Sequence, residues 1–199
     1  MNIAMVVFDD FTDLDVFFMW DLLNRVDRAD WTVRLVGDAD RHVSRTGIDI
    51  PMHDRIEVAN SAEVVLFSSG PGTRAKVADP SYLKRFRLDP SRQWIGSICS
   101  GALILAALGL LDGKRATTHP SVKHLLARFP VRVIDEPFVR EGNIATAGGC
   151  LAAQHLVGWI LCTLLDQATC DAVLKSVQPV GQAHRRVEHV VIAGGGIGA

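Results

Sequence analysis

Chemistry in this chain is read first at Cys99. It stands in the run Trp94-Ile95-Gly96-Ser97-Ile98-Cys99-Ser100-Gly101-Ala102-Leu103-Ile104-Leu105-Ala106-Ala107. Up to Ile98 the run reads as a short strand, and from Ser100 as an apolar helix. Cys99 therefore falls on a sharp strand-to-helix turn that pushes its sulfur out of the sheet. Small neighbours (Gly96, Ser97, Ser100, Gly101) are what a strained elbow requires, because bulky ones would collide. Helix N–H groups aimed at the sulfur would favour thiolate over thiol. Such a nucleophile needs donors for the charge that develops on its target. The Ser100 amide follows it directly, and Gly70 in Ser68-Ser69-Gly70-Pro71-Gly72-Thr73 offers a second; Pro71 has no N–H to give. It also needs a proton-transfer group. Asp15 opens the first helix among Leu14, Val16, Phe17 and Phe18, with Asp10 and Asp13 as nearby alternatives, and His119 follows Ala116-Thr117-Thr118.

Each of these residues also has a purely structural reading. Cys99 could be a core thiol, Asp15 an acid satisfying a helix N-terminus, His119 a supporting side chain, and Gly70 part of a tight turn. The Phe17-Phe18-Met19-Trp20 stripe could be pocket wall, core or dimer surface. Gly148-Gly149 is expected to permit close helix–strand packing, and Asp21 to sit at the surface.

The elements that must position these groups alternate along the chain. Strands are expected at 2–8, 31–37, 64–68, 94–98, 131–134 and 144–146. Helices are expected at 13–28, 81–88, 101–108, 120–129, 150–165 and 166–175. Unalternating apolar strands such as Ala4-Met5-Val6-Val7 and Val64-Val65-Leu66-Phe67 imply a parallel sheet covered on both faces, a three-layer α/β sandwich. Short antiparallel pairs are expected near 43–51 and 138–144, the latter turning at Glu141-Gly142-Asn143. Ligands of such sheets gather at the carboxyl ends of the strands. There the loop after the first strand, the Ser68–Thr73 loop, Cys99 and Ala147-Gly148-Gly149-Cys150 converge.

Composition narrows the partners. At 199 residues with a net charge of -1, the chain suits one domain and carries no field to gather nucleic acid or anionic lipid. The first residues read as a strand rather than a signal peptide, and the apolar run 103–111 is too short to span a bilayer. Four cysteines (99, 150, 162, 170) lack CxxC spacing, so neither a disulfide framework nor a zinc site is expected; Cys150, Cys162 and Cys170 read as core, with Cys150 alone near the mouth of the site. A reducing cytoplasm is the expected location. Residues 187–199 look like the opening of a dinucleotide-binding motif, but the helix and partner strands that motif needs do not follow. Residues 1–178 are expected to form the domain and 179–199 an extension.

Three segments carry a resemblance: Ser97-Ile98-Cys99-Ser100-Gly101-Ala102; Gly109-Leu110-Leu111-Asp112-Gly113-Lys114-Arg115-Ala116-Thr117-Thr118-His119; and Val139-Arg140-Glu141-Gly142-Asn143-Ile144-Ala145-Thr146-Ala147-Gly148-Gly149. In the same order over roughly residues 1–178, they resemble the ThiJ/PfpI superfamily, which has a class I glutamine amidotransferase-like, flavodoxin-like fold. Within it the isonitrile hydratase branch is most similar. The resemblance implies Cys99 as nucleophile, Asp15 as its acid–base partner, and Gly70 and Ser100 at the oxyanion hole. His119 matches a family histidine beside Thr118, and these two, with Phe17 and Phe18 from this chain's own aromatic stripe, are expected to stand around the pocket. It implies a homodimer acting on a small electrophile, with no metal or organic cofactor. Glyoxalase or deglycase chemistry on 2-oxoaldehydes, and a redox-sensing or ligand-binding role for the cysteine, are the alternatives. Two departures stand out. Ser68-Ser69 replaces a Pro-Gly pair, and Phe18-Met19 with Asp21 replaces a Gly-Pro pair and Glu, which suggests a bulkier, more apolar pocket.

Overall fold

The computed structural model describes residues 1–181. In chain order the strands are β1 (Asn2–Val6), β2 (Thr32–Gly37), β3 (Arg41–Val43), β4 (Asp49–Pro51), β5 (Asp54–Arg55), β6 (Val64–Phe67), β7 (Trp94–Ile98), β8 (Arg115–Ala116), β9 (Arg132–Val133), β10 (Phe138–Glu141) and β11 (Ile144–Ala147). The helices are α1 (Asp13–Asn24), α2 (Thr73–Val77), α3 (Pro80–Leu83), α4 (Ala102–Ala107), α5 (Lys123–Leu126), α6 (Ala153–Leu164) and α7 (Gln167–Lys175). Seven strands form one sheet in the order β10-β11-β7-β6-β1-β2-β5. All its pairings are parallel except β10 with β11, the hairpin expected around residues 141–143.

The strands β1 and β6 are buried at nearly every position because helices cover both faces. Val16, Met19, Leu22, Leu156 and Trp159 from α1 and α6 pack on one face. Leu103, Leu105, Tyr82 and Leu126 from α3, α4 and α5 pack on the other. Removing this much apolar surface from water is the main stabilising term, and it is why the strands read as unbroken apolar runs. The result is a three-layer, flavodoxin-like α/β sandwich.

The chain starts in mid-sheet at β1, runs outward through β2 and β5, then returns to β6 and runs the other way through β7 and β11. The strand order reverses between β1 and β6, so the loops after those strands diverge and leave a crevice. Two expectations are corrected. The strand expected at 131–134 lies outside the main sheet, in a two-stranded pairing of β8 with β9. The helices expected at 120–129 and 150–165 begin as 3-10 turns, at Pro120–Val122 and Cys150–Ala152. Among the described residues no helix is long and apolar enough to cross a membrane. The extension from 182 onward, with its glycine-rich end, lies outside the described residues.

Candidate active site

Cys99 sits where β7 ends, with φ of 48°, one of two non-glycine residues described in the left-handed region. That backbone geometry is costly for a side chain and survives only where neighbours hold it. Gly101 is one such neighbour: a Cβ there would stand 2.5 Å from the Ser68 carbonyl oxygen, so only glycine lets the turn pack against the loop after β6. The Thr118 hydroxyl donates to the Cys99 carbonyl at 2.8 Å and ties the elbow to the segment after β8.

Asp15 lies one turn into α1 and is fully buried. The helix start is pinned by the Thr12 amide, which donates to the Ser69 carbonyl at 2.7 Å. The Ser69 hydroxyl donates to Asp15 Oδ2, while Oδ1 is buried without a hydrogen-bond partner. Ser69 is one of the two departures seen in the sequence, and here it orients a carboxylate. The alternatives are spent elsewhere: Asp13 accepts from Thr46 at 2.7 Å, Asp10 is exposed, and Asp21 pairs with Arg25 at 2.7 Å on the surface.

The sulfurs of Cys99 and Cys150 and a carboxylate oxygen of Asp15 all lie within 4.8 Å of one another. Burial, and then the Asp15 charge beside it, push the Cys99 thiol well above its ordinary range; the Gly149 amide pulls the other way. Burial, followed by Asp15, pushes the half-buried Cys150 up to about 11. These influences run against the helix-stabilised thiolate expected from the sequence. The α-helix begins only at Ala102 and has six residues, too little to outweigh desolvation and an adjacent carboxylate.

Gly70, with φ of 150°, presses against the loop after β1: a Cβ would meet the Asp10 carbonyl oxygen at 2.1 Å. Its amide donates to the Ser100 hydroxyl at 3.1 Å, which also lies 2.9 Å from Thr73 Oγ1. The structure thus brings Gly70 and Ser100 together, with the Gly70 N–H held by the serine hydroxyl.

A cavity of about 190 Å³ opens over these groups. Asp15, Cys99, Cys150, Gly70, Ser100 and His119 line it, and Arg45 and Arg74 stand at its exposed mouth. The His119 ring is anchored through Nδ1, which accepts from the Ser121 amide at 3.3 Å. Phe17, Phe18 and Thr118 are not among the lining residues. Phe17 packs edge-on to Phe11 with centroids 6.1 Å apart, Phe18 leans on the core, and Trp20 stacks on His53 at 5.2 Å. The aromatic stripe is helix packing: its four consecutive residues go round α1, and Phe18 and Met19, on the Asp15 face, sit one turn further along the helix against the core. The sequence places Cys150 at the same end of the sheet as Cys99 without giving it a role; the contact of Ser69 with Asp15 and the two arginines at the mouth carry no sequence signal, because loop closure sets them.

Cys162 and Cys170 form a disulfide with Cα atoms 5.3 Å apart. This corrects the expectation of no disulfide. The turn between α6 and α7 folds the two helices back on each other and brings together residues whose spacing carries no motif.

The chain matches the DJ-1/PfpI family over residues 1–161. It is 31% identical over 168 residues to the isonitrile hydratase of Pseudomonas putida, covering 79% of this chain and 73% of that one. It is 26% identical to the glutathione-independent glyoxalase DJ-1 of Schizosaccharomyces pombe, covering 89% and 98%. Among solved structures, a ThiJ/PfpI family protein from Pseudomonas syringae superposes with a TM-score of 0.81 at 26% identity, covering 89% of this chain and 75% of the other. With an elbow cysteine at the carboxyl ends of the strands of the same sandwich, this chain belongs to the DJ-1/PfpI family.

Proposed function

We propose that the protein hydrates isonitriles to N-substituted formamides through a covalent intermediate on Cys99. The observation that carries this reading is the fully buried Asp15 carboxylate, one oxygen unpartnered, beside a thiol on a strained elbow. Because the resting thiol keeps its proton, Asp15 Oδ1 acts first as base. It takes that proton as sulfur adds to the terminal carbon of R–N≡C, then delivers it to the same carbon, leaving R–N=CH–S–Cys99. Asp15 next draws a proton from water as its oxygen adds to that carbon, and the nitrogen takes up this proton. Collapse breaks the carbon–sulfur bond, the remaining hydroxyl proton returns to sulfur, and R–NH–CHO leaves.

The Gly149 amide stands against the Cys99 sulfur, and with the Ser100 amide, next in the chain after the elbow, it is the donor assigned to developing charge. The Gly70 amide joins them only if the Ser100 hydroxyl turns toward Thr73. His119 contributes to the pocket wall. The mouth carries Arg45 and Arg74 rather than an aromatic wall, so the preferred R group carries a carboxylate or another polar acceptor.

Incubation with cyclohexyl isocyanide and with isocyanoacetate should yield the formamides, faster for isocyanoacetate, with turnover lost in Cys99→Ala. Wild-type turnover equal to that of Cys99→Ala would end the reading. Lactate from methylglyoxal without formamide from either isonitrile would move the assignment to glyoxalase chemistry, which the similarity to the fission-yeast protein supports.

A further inference from the structure

The hydratase reading uses Cys99 and Asp15 and leaves Cys150 without a task. Cys150 is a free thiol, half-buried, and it lines the same cavity. Two soft thiol donors and one hard carboxylate, from three separate segments, therefore converge: Asp15 from α1, Cys99 from the elbow after β7, and Cys150 from the 3-10 turn after β11.

We infer that Asp15, Cys99 and Cys150 form a binding site for a thiophilic divalent cation, zinc being the ion whose chemistry they match. Zinc binds thiolate at about 2.3 Å and carboxylate oxygen at about 2.0–2.2 Å, which sets tetrahedral ligand atoms roughly 3.3–3.8 Å apart. The donors already lie within 4.8 Å of one another, so small side-chain rotations close the set. Asp15 supplies the independent sign of a ligand: its Oδ1 is buried and unpartnered, while Oδ2 is held by Ser69. A carboxylate fixed by an outer hydrogen bond, with one of its oxygens within 4.8 Å of two thiol sulfurs, is the arrangement metal sites use to orient a ligand. Binding forms two zinc–sulfur bonds and one zinc–oxygen bond and releases the two thiol protons to solvent. The fourth position opens to the cavity, as in sites with three protein ligands. The complex of a dication with three anionic groups carries one net negative charge, which Arg45 and Arg74 at the mouth offset. An ion seated here occupies the nucleophile and its base, so metal binding and isonitrile turnover exclude each other.

The test is a titration of the whole chain, kept anaerobic with two free thiols verified, by zinc in a calorimeter and by cadmium in the ultraviolet. One equivalent of each metal should bind, and cadmium should raise a sulfur-to-metal charge-transfer band of two thiolates. That band should fall by half in Cys150→Ser and in Cys99→Ser, and vanish in the double variant. Zinc affinity should drop beyond the roughly 100-fold that losing an outer hydrogen-bonding group can cost, whereas Ser69→Ala should lose about 10–100-fold. Cys150→Ala serves as a second variant, with circular dichroism confirming the fold. An unchanged band or unchanged zinc affinity in the Cys150 variants overturns the proposal, as does binding with no charge-transfer band at all. These readouts do not use turnover, so they stand or fall apart from the hydratase reading.

Discussion

The chain holds two cysteine pairs that look alike in outline and differ in chemistry. Cys162–Cys170 joins one half-buried and one buried residue across α6 and α7, and its sulfurs are bonded. Cys99 and Cys150 are likewise one buried and one half-buried, yet both remain thiols. The first pair packs in the apolar cluster between the two helices. The second faces a cavity and a buried carboxylate. Proximity alone therefore does not decide what a thiol does; the charge beside it and its access to a ligand do.

The sharpest way to break this comparison is to remove one member of each pair. Cys99→Ala should lower formamide production by roughly 10⁴-fold or more, since no other group supplies the covalent step. Asp15→Asn should cost about 10²–10⁴-fold in kcat, the range expected of a lost general acid–base, with the fold intact by circular dichroism. Cys162→Ala should instead act on stability. Opening a loop with a sequence separation of 8 residues costs about 2–3 kcal/mol by chain entropy. This should appear as a melting temperature roughly 5–10 °C lower, with turnover near that of the parent.

Alkylation sharpens the contrast further. Iodoacetamide should modify Cys150 slowly near neutrality and faster as pH rises toward about 11, followed by peptide mass spectrometry. The sign follows from linkage. A thiol whose folded value is raised stabilises the fold below the ordinary thiol range, and that contribution is lost as pH climbs through the raised value. Asp15→Asn removes the adjacent negative charge and should quicken alkylation a few-fold at a given alkaline pH; unchanged rates would place the cause in burial alone. The smallest effect belongs to Ser100→Ala. It frees the Gly70 amide while loosening the two loops, and should change kcat less than about ten-fold, against the 10²–10³-fold typical of deleting a direct oxyanion donor.

Much of this was legible before any coordinates. The apolar runs of β1, β6 and β7 specified a parallel, doubly covered sheet, and Gly96-Ser97-Ile98-Cys99-Ser100-Gly101 marked the elbow because only small residues pass that turn. Asp15 could be named from its apolar neighbours and from the family resemblance. Phe17 to Trp20 stay open in the sequence among pocket wall, core and dimer surface, because composition does not say which positions along α1 meet the crevice; the fold packs them on the core. The helix pattern after Cys99 favours a thiolate, whereas burial and the Asp15 charge push the thiol the other way, and only the folded chain brings those two together.

By itself, then, the sequence determined the sandwich, the position of the elbow cysteine and its membership of the DJ-1/PfpI family, since these rest on local pattern: strand, turn and helix within a few residues. Tertiary structure alone decided that Cys150 stands beside Cys99, that Ser69 holds Asp15, that Ser100 occupies the Gly70 amide and that Cys162 meets Cys170. Those contacts join residues far apart in the chain or set by helix phase and loop closure. Their distances, and hence their electrostatics, exist only once the sheet has brought four loops to one edge.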